Sequence, residues 1–487
     1  MKRIVLFFVM ALLMNCAKGP APEDILVRVD DKIITKNEFL KRTELTIRPE
    51  PFLKKEIAVN NLILEKMLAI EAAKNNMDID KPSFDAYLQG IQEQEMREML
   101  FEKLAMEKVS VSEEEVERRF KMSMRDYRIA YYTIHNNEKA ASEISQKMNA
   151  NPEQRVSIFD ALGNGEPPVR DVTWKDNDPL PLHEALYANP LKPNSVIGPI
   201  KTDMDNYIIM KILAWKDEQF LSPEDARIRI KEVKDRLTLH KAQKKWNDYI
   251  NGIMSGKRID FNEDTYNRMI RFYGILYSEK SQEKREVLAS RFFQDAENVS
   301  KSDSPDDHVI NTDAPFFKID GQVWSVRDFI KAVASHPLVY RNKNIARSQF
   351  SEQFKYAIAD FLRDQYLNEE AYKKSLDKSE RVQSTVRMWK DANVALNYRN
   401  QIIKDAIQSG QIDATSQSAR KDFWNSYVDS LYAKYNGDIQ INHEILDEIT
   451  LTNMGLAAYR PSRPFPMASP AFPQYTTAPL PEIGERE

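Results

Sequence analysis

A single cysteine, Cys16, occurs in the 487 residues. No internal disulfide can form, and an oxidising compartment would leave the fold unaffected. Glycine is scarce, with 13 in all, and charged and amide residues are plentiful, a composition that suits long helices better than sandwiches or barrels. The six histidines, His135, His183, His240, His308, His336 and His443, lie far apart. No H-E-x-x-H or Cys/His spacing joins them, so no metal site and no cofactor is expected. Neither a G-x-S-x-G elbow nor a G-x-x-x-x-G-K phosphate loop occurs. The net charge of −4 supplies no basic face for nucleic acid.

What is present is enough for about two to four domains: 42% of residues are hydrophobic and 10% aromatic. The chain opens with Met1-Lys2-Arg3 and an unbroken apolar run, Ile4 to Met14. That run is short of the about 20 residues a spanning helix needs and fits the apolar region of a secretory signal peptide. It ends in L-M-N-C, Leu13 to Cys16, which resembles a bacterial lipobox, although Asn15 replaces the usual small residue. The resemblance implies that residues 1–16 are a lipoprotein signal peptide with its lipobox cysteine, and that Cys16 is lipidated, several acyl chains giving a firm anchor. An ordinary cleaved signal is the alternative. Residues 17–25 would be a tether.

One pattern occurs twice. L-V-R-V-D-D-K-I-I-T-K-N-E-F-L-K-R (Leu26 to Arg42) reads as strand, turn, strand and a helix capped by Thr35, with Glu38 three residues on. The same grammar returns in F-F-K-I-D-G-Q-V-W-S-V-R-D-F-I-K-A (Phe316 to Ala332), with Val29 matching Ile319, Thr35 matching Ser325 and Phe39 matching Phe329. Helical stretches follow both copies, Phe52 to Asn76 and Ile345 to Ser375. W-N-D-Y-I-N-G-I with R-I-D-F-N (Trp246 to Asn262) answers W-N-S-Y-V-D-S-L with D-I-Q-I-N (Trp424 to Asn442). Matches at four ordered places indicate a duplication. Copy one is split, 26–125 plus 216–264, around an insert at 126–215; copy two, 313–446, is continuous. The strand Ile259 to Phe261 is expected to pair with Val27 to Val29. The helix after Ser222, with Ile230, Val233, Leu237, Trp246, Tyr249, Ile250 and Ile253 on its apolar face, is expected to dock on the first helical segment. Residues 265–312 read as a helical linker, Tyr266 to Ala296 being helical and Lys301 to His308 flexible. Residues 447–487, proline-rich from about Leu451, read as a disordered tail.

The insert runs strand (Tyr127 to His135), helices, strand, short helix and two strands, a compact α+β domain. Its closing half, P-L-K-P-N-S-V-I-G-P-I-K-T followed by N-Y-I-I-M-K-I-L-A-W, resembles a parvulin-type peptidyl-prolyl isomerase domain. The split arrangement, with V-R-V-D-D-K-I-I-T-K-N-E-F as its opening, resembles the SurA/PrsA family of extracytoplasmic chaperones over roughly Ile25 to Asp264. The likeness is weaker over Phe316 to Asn442. The implied fold class is mostly α with an inserted α+β domain: two related helical chaperone modules, the first split around a parvulin-like domain.

Prolyl isomerisation needs a site that favours the twisted amide against a barrier of about 18–20 kcal/mol. An apolar pocket and a few placed hydrogen-bonding groups suffice. The family carries two facing histidines in its sheet, and the resemblance places Tyr131 and Tyr207 there, with Trp174 at the G-W-F turn and Leu180 at the apolar pocket. A tyrosine pair could still exchange a hydrogen bond but not the protonation chemistry. His135 lies about 13 Å along the strand from Tyr131, and His183 reads as a surface residue.

The function implied is an envelope lipoprotein, facing the periplasm or cell exterior, that binds unfolded or partly folded exported proteins. Its parvulin-like domain would have weak or lost activity. Its partners would be those exported chains and, through the lipid anchor, the membrane; no nucleic acid is expected. An active isomerase and a structural envelope-assembly lipoprotein are the alternatives.

Overall fold

The computed structural model describes residues 24–480, apart from 78–79, 136, 164, 177, 203–205, 219–221, 279–310, 343–344 and 454–456. Cys16 and its leader, the stretch Lys301 to His308, and the expected linker helix beyond residue 278 lie outside the described residues. Two compact units are found: Met1–Met99 with Lys257–Tyr340 and Ile345–Glu487, and Leu100–Gly256 with Arg341–Asn344. The chain is mostly helical, with a sheet domain inserted.

In chain order the elements begin with β1 (Ile25–Val29), β2 (Lys32–Thr35), α1 (Lys36–Glu44), α2 (Lys55–Lys74) and α3 (Lys81–Leu104). The inserted region contains α4 (Glu113–Ser123), β3 (Arg125–Ile134), α5 (Glu138–Ala150), α6 (Arg155–Asp160), β4 (Val169–Val172), α7 (Leu180–Tyr187), β5 (Val196–Lys201), β6 (Tyr207–Asp217) and α8 (Pro223–Met254). Then come β7 (Asp260–Phe261), α9 (Glu263–Ser278), β8 (Pro315–Ile319), β9 (Gln322–Ser325), α10 (Val326–Ser335), α11 (Phe350–Lys373), α12 (Glu380–Gln408), α13 (Gln417–Tyr435), β10 (Ile439–Ile441) and α14 (His443–Glu448).

The repeated pattern gives two like hairpins because its local chemistry is the same. Thr35 caps α1 by accepting from the Glu38 N–H, and Ser325 caps α10 by accepting from the Asp328 N–H in a reciprocal capping box. The Asp320-Gly321 turn places both residues in the left-handed region, at φ 49° and 81°, as a two-residue hairpin turn requires.

The partners of the closing strands differ from expectation. β7 does not pair with β1; it pairs with β8, Phe261 opposite Phe317. β1 instead pairs with β10, Val27 opposite Ile441 and Val29 opposite Ile439. Each hairpin thus accepts the closing strand of the other copy. The two junctions are equivalent: the Asn262 N–H donates to the Phe316 carbonyl and the Asn442 N–H to the Leu26 carbonyl, both at 2.9 Å. Both asparagines then cap the next helix with Oδ1.

Around the first hairpin, α2 is buried at every position from Ile57 to Ala72, packed with Leu26, Val29, Val394, Tyr398, Trp424 and Leu431. A helix enclosed on all sides must pair its polar side chains internally. Arg42 clasps Glu65 through two bonds of 2.6 and 2.8 Å, both groups fully buried. Lys66 reaches Glu38 at 2.7 Å and Asp391 at 3.0 Å. Burial alone would lower its pKa, but the two carboxylates hold it raised. A second core joins Phe316, Phe317 and Phe329 of the second hairpin unit to Tyr266, Met269, Phe354 and Phe361.

The tail is also corrected. Among the described residues of 449–480, Phe465, Phe472 and Tyr475 are buried against the first core or α3. Phe465 and Tyr475 of the stretch that read as a disordered tail are held by side chains more than 350 residues earlier, which no local pattern announces.

Candidate functional site

The inserted unit is built on an antiparallel sheet of order β4-β3-β6-β5. Strand alternation divides its side chains between two faces. Ala130 and Ile209 pack with Met148 and Phe159 of the α5–α6 side. Tyr127, Ile129, Met210 and Ile212 face the other way and pack with Trp174, Leu182, Leu186 and Tyr187. Met122 of α4 and Val233 and Leu237 of α8 complete this second core. So α8 contributes Val233 and Leu237 to the insert's core, and Ile230 on that helix is exposed. Arg119 of α4 clasps Glu184 of α7 at 2.7 and 2.6 Å. The inserted unit is therefore larger than residues 126–215, since α4 and α8 are part of its core.

Register separates the two tyrosines singled out from sequence. Tyr131 lies opposite Met210, whereas Tyr207 lies opposite Ile134. Residues 131 and 134 point to opposite faces, so Tyr131 and Tyr207 cannot exchange a hydrogen bond. On β6 the Tyr131 face carries Met210 and Ile208, the latter one position on from Tyr207. A one-residue slip in reading a strand moves a side chain to the other face. Tyr207 is buried, within reach of the Lys201 ammonium at 5.9 Å.

Trp174 follows β4 in a turn fixed by Asp176, whose Oδ2 accepts from the Thr173 N–H at 2.8 Å. It is buried, edge-on to His183 at 4.4 Å and to Tyr187 at 5.1 Å, with the Arg236 guanidinium 5.0 Å above it. His183 is therefore no surface residue; it is 3% exposed. Burial first, and the Arg236 cation second, lower its pKa to about 3. Among the described residues, its Nε2 and the Tyr187 Oη find no hydrogen-bond partner. Trp174, His183 and Tyr187 are packed core.

The open part of the face lies beyond it. Tyr131, Ile197, Ile200 and Ile208 are half-buried and pack against the core's edge. Gly198, at φ 112°, lets β5 approach so closely that a Cβ there would meet the Ile208 carbonyl at 2.5 Å. Leu180 starts α7, also half-buried. β4 adds Arg170, opposite Ile129 and ion-paired with Asp178 at 2.5 Å. His135 lies past the end of β3, exposed, 3.2 Å from Asn206 Oδ1. The arrangement can hold apolar side chains and offer a phenol and a guanidinium to peptide carbonyls. Among the described residues, no histidine faces Tyr131 across the sheet, and no three His, Cys, Asp or Glu side chains converge as a metal site would require.

His183 gives the unit a pH dependence. Its folded pKa of about 3 lies below the usual value near 6.5. Between those limits the unfolded chain binds a proton that the folded chain does not, so stability falls as pH falls. The cost is roughly 2 kcal/mol at pH 5 from this group. Melts at pH 7 and pH 5 should show the loss, and His183→Phe should reduce it; an unchanged pH dependence in that variant would contradict the assignment.

The fold and face define a mostly helical protein whose inserted α+β unit carries half-buried apolar side chains on one sheet face. Among solved structures, the chain is similar to foldase protein PrsA from Streptococcus pneumoniae str. Canada MDR_19A, with 18% identity over 44% of this chain and 85% of that one, at a TM-score of 0.19. A likeness of that size carries no argument. No family model matches the chain, and no curated protein does.

Proposed function

We propose that the protein is a lipid-anchored envelope folding factor that binds unfolded exported chains, its two related helical modules of the SurA/PrsA type and its parvulin-like insert acting chiefly as binding surfaces. The observation that carries the reading is the composition of the open sheet face: apolar Ile197, Ile200 and Ile208 beside a single phenol, Tyr131. A face of that kind can bind an extended apolar segment. It holds no pair of proton-exchanging groups around a twisted amide.

The full chain should suppress aggregation of an unfolded test protein at near-stoichiometric ratios. It should accelerate isomerisation of a proline tetrapeptide by less than roughly tenfold over the uncatalysed rate. Tyr131→Phe should leave that small acceleration within about twofold, because one neutral hydrogen bond on a half-exposed face is worth about 0.5 kcal/mol. Turnover at the level of an efficient isomerase, abolished by Tyr131→Phe, would make the protein an enzyme instead.

Anchoring rests on Cys16. Cys16→Ser should move the protein from the membrane to the soluble fraction, or leave the uncleaved precursor, and abolish incorporation of labelled fatty acid. Unlabelled wild-type protein with unchanged fractionation in the variant would remove the anchor from the proposal.

A further inference from the structure

The C-terminal segment lies along the helical unit in a way that a simple core filler would not require. Asn61 of α2 is fully buried, and its amide reads a main-chain segment. Its Oδ1 accepts from the N–H groups of Tyr475 (2.7 Å) and Thr476 (3.0 Å), and its Nδ2 donates to the Thr476 carbonyl (2.9 Å). Gln94 of α3 does the same at Phe465, accepting from its N–H at 3.0 Å and donating to its carbonyl at 2.8 Å. Asn60 donates to the carbonyls of Ala478 and Pro479, Trp424 Nε1 to that of Tyr475, and Arg42 to that of Ala471. Every one of these bonds goes to backbone, so none depends on which side chain the segment carries.

The aromatic side chains of the segment are read at three places, and Ser469, Pro470 and Pro473 are buried between them. Phe465 lies against Gly90, where a Cβ would come within 2.4 Å of the ring, and stands edge-on to Tyr87. Phe472 meets Phe52 at 6.0 Å, and Tyr475 meets Trp424 at 6.2 Å with the Arg399 guanidinium 6.0 Å from its ring. Pro466, Pro470 and Pro473 between them carry no N–H that burial could leave unpaired. Residues 464–480 contain no charged side chain, as a buried track demands.

We propose that this track along α2, α3 and α13 is a peptide-binding site for extended, uncharged segments of unfolded chains with aromatic residues at that spacing, and that the C-terminal segment is its resident occupant, displaced when such a chain binds. The proposal rests on the reading that the protein binds unfolded chains, but it uses a site in a different unit from the Tyr131 face. Backbone-directed amides supply sequence tolerance, and the aromatic pockets supply register. As part of the same chain, the resident segment competes at an effective concentration in the millimolar range.

The test uses a chain ending at Leu451 and three labelled peptides. The first copies residues 463–480. The second keeps its Phe, Tyr and Pro positions and replaces the remainder with Ser and Gln. The third replaces the aromatics with Ala. Both aromatic peptides should bind the shortened chain and raise its melting midpoint, and the third should bind at least tenfold more weakly. The full chain should bind the first two at least tenfold more weakly than the shortened chain does. If the shortened chain does not fold alone, the same two peptides should restore its cooperative transition on refolding. Asn61→Ala should weaken both equally.

Binding or rescue by the first peptide alone would make the segment a fixed strap and overturn the proposal. Absence of any binding or rescue, or equal binding by the full chain, would also overturn it. Loss of groove binding with aggregation suppression retained would count against this proposal alone. Loss of suppression with groove binding intact would count against the earlier reading alone.

Discussion

A chain broken between Ser278 and Thr312 should give a C-terminal fragment with no cooperative transition of its own, and mixing the two fragments should restore one. The fragment from Thr312 contains β10 but not the β1–β2 hairpin to which it pairs, and β8 without β7. It also contains α12 and α13 without α2, whose buried length from Ile57 to Ala72 they help to enclose. Asp391 would lose both Lys32 and Lys66. A buried carboxylate deprived of its partner costs about 3–5 kcal/mol, comparable with the whole net stability of a domain. The N-terminal fragment should keep only the transition of residues 100–256. Circular dichroism and size exclusion on separate and mixed fragments read the outcome. A cooperative melt with native helicity in the C-terminal fragment alone would show that the exchanged strands are dispensable.

Ending the chain at Leu451 should lower the melting midpoint of the helical unit by about 10 °C or more. Burial of Phe465, Phe472 and Tyr475 contributes on the order of 2 kcal/mol each. Asn61 and Gln94 would be left buried without the backbone groups they now serve, at about 1–3 kcal/mol for each unmet group. The sum is at least roughly 5 kcal/mol, and each kcal/mol shifts the midpoint of a unit this size by about 2–4 °C. Tyr475→Ala alone should cost about 3 kcal/mol. A midpoint unchanged on truncation would mean that the segment contributes nothing to the folded unit.

Local chemistry was legible in the sequence wherever its cause was local. Thr35 and Ser325 announce their helices three residues ahead through Glu38 and Asp328, and Ser222-Pro223 announces α8. The Asp-Gly pair at 320–321 announces a hairpin. What was not legible depended on choices between equal partners or on distant ones. Nothing in R-I-D-F-N or D-I-Q-I-N distinguishes one hairpin edge from the other, so the strand exchange carries no sequence signature. Tyr207 and Ile208 are adjacent, and only the register against Ile134 and Thr133 decides which of them shares a face with Tyr131. His183 looks polar and solvated until Trp174, Tyr187 and α8 close around it.

The exchanged strands also set an order of events during synthesis. Val29 finds Ile439 only after some four hundred further residues have been made, which at about 5–20 residues per second takes roughly 20–80 s. The first hairpin must wait through that interval with one edge unpaired, while residues 100–256 already contain all of their own sheet. For that time the nascent chain has an open strand edge, and the half that is made last closes it.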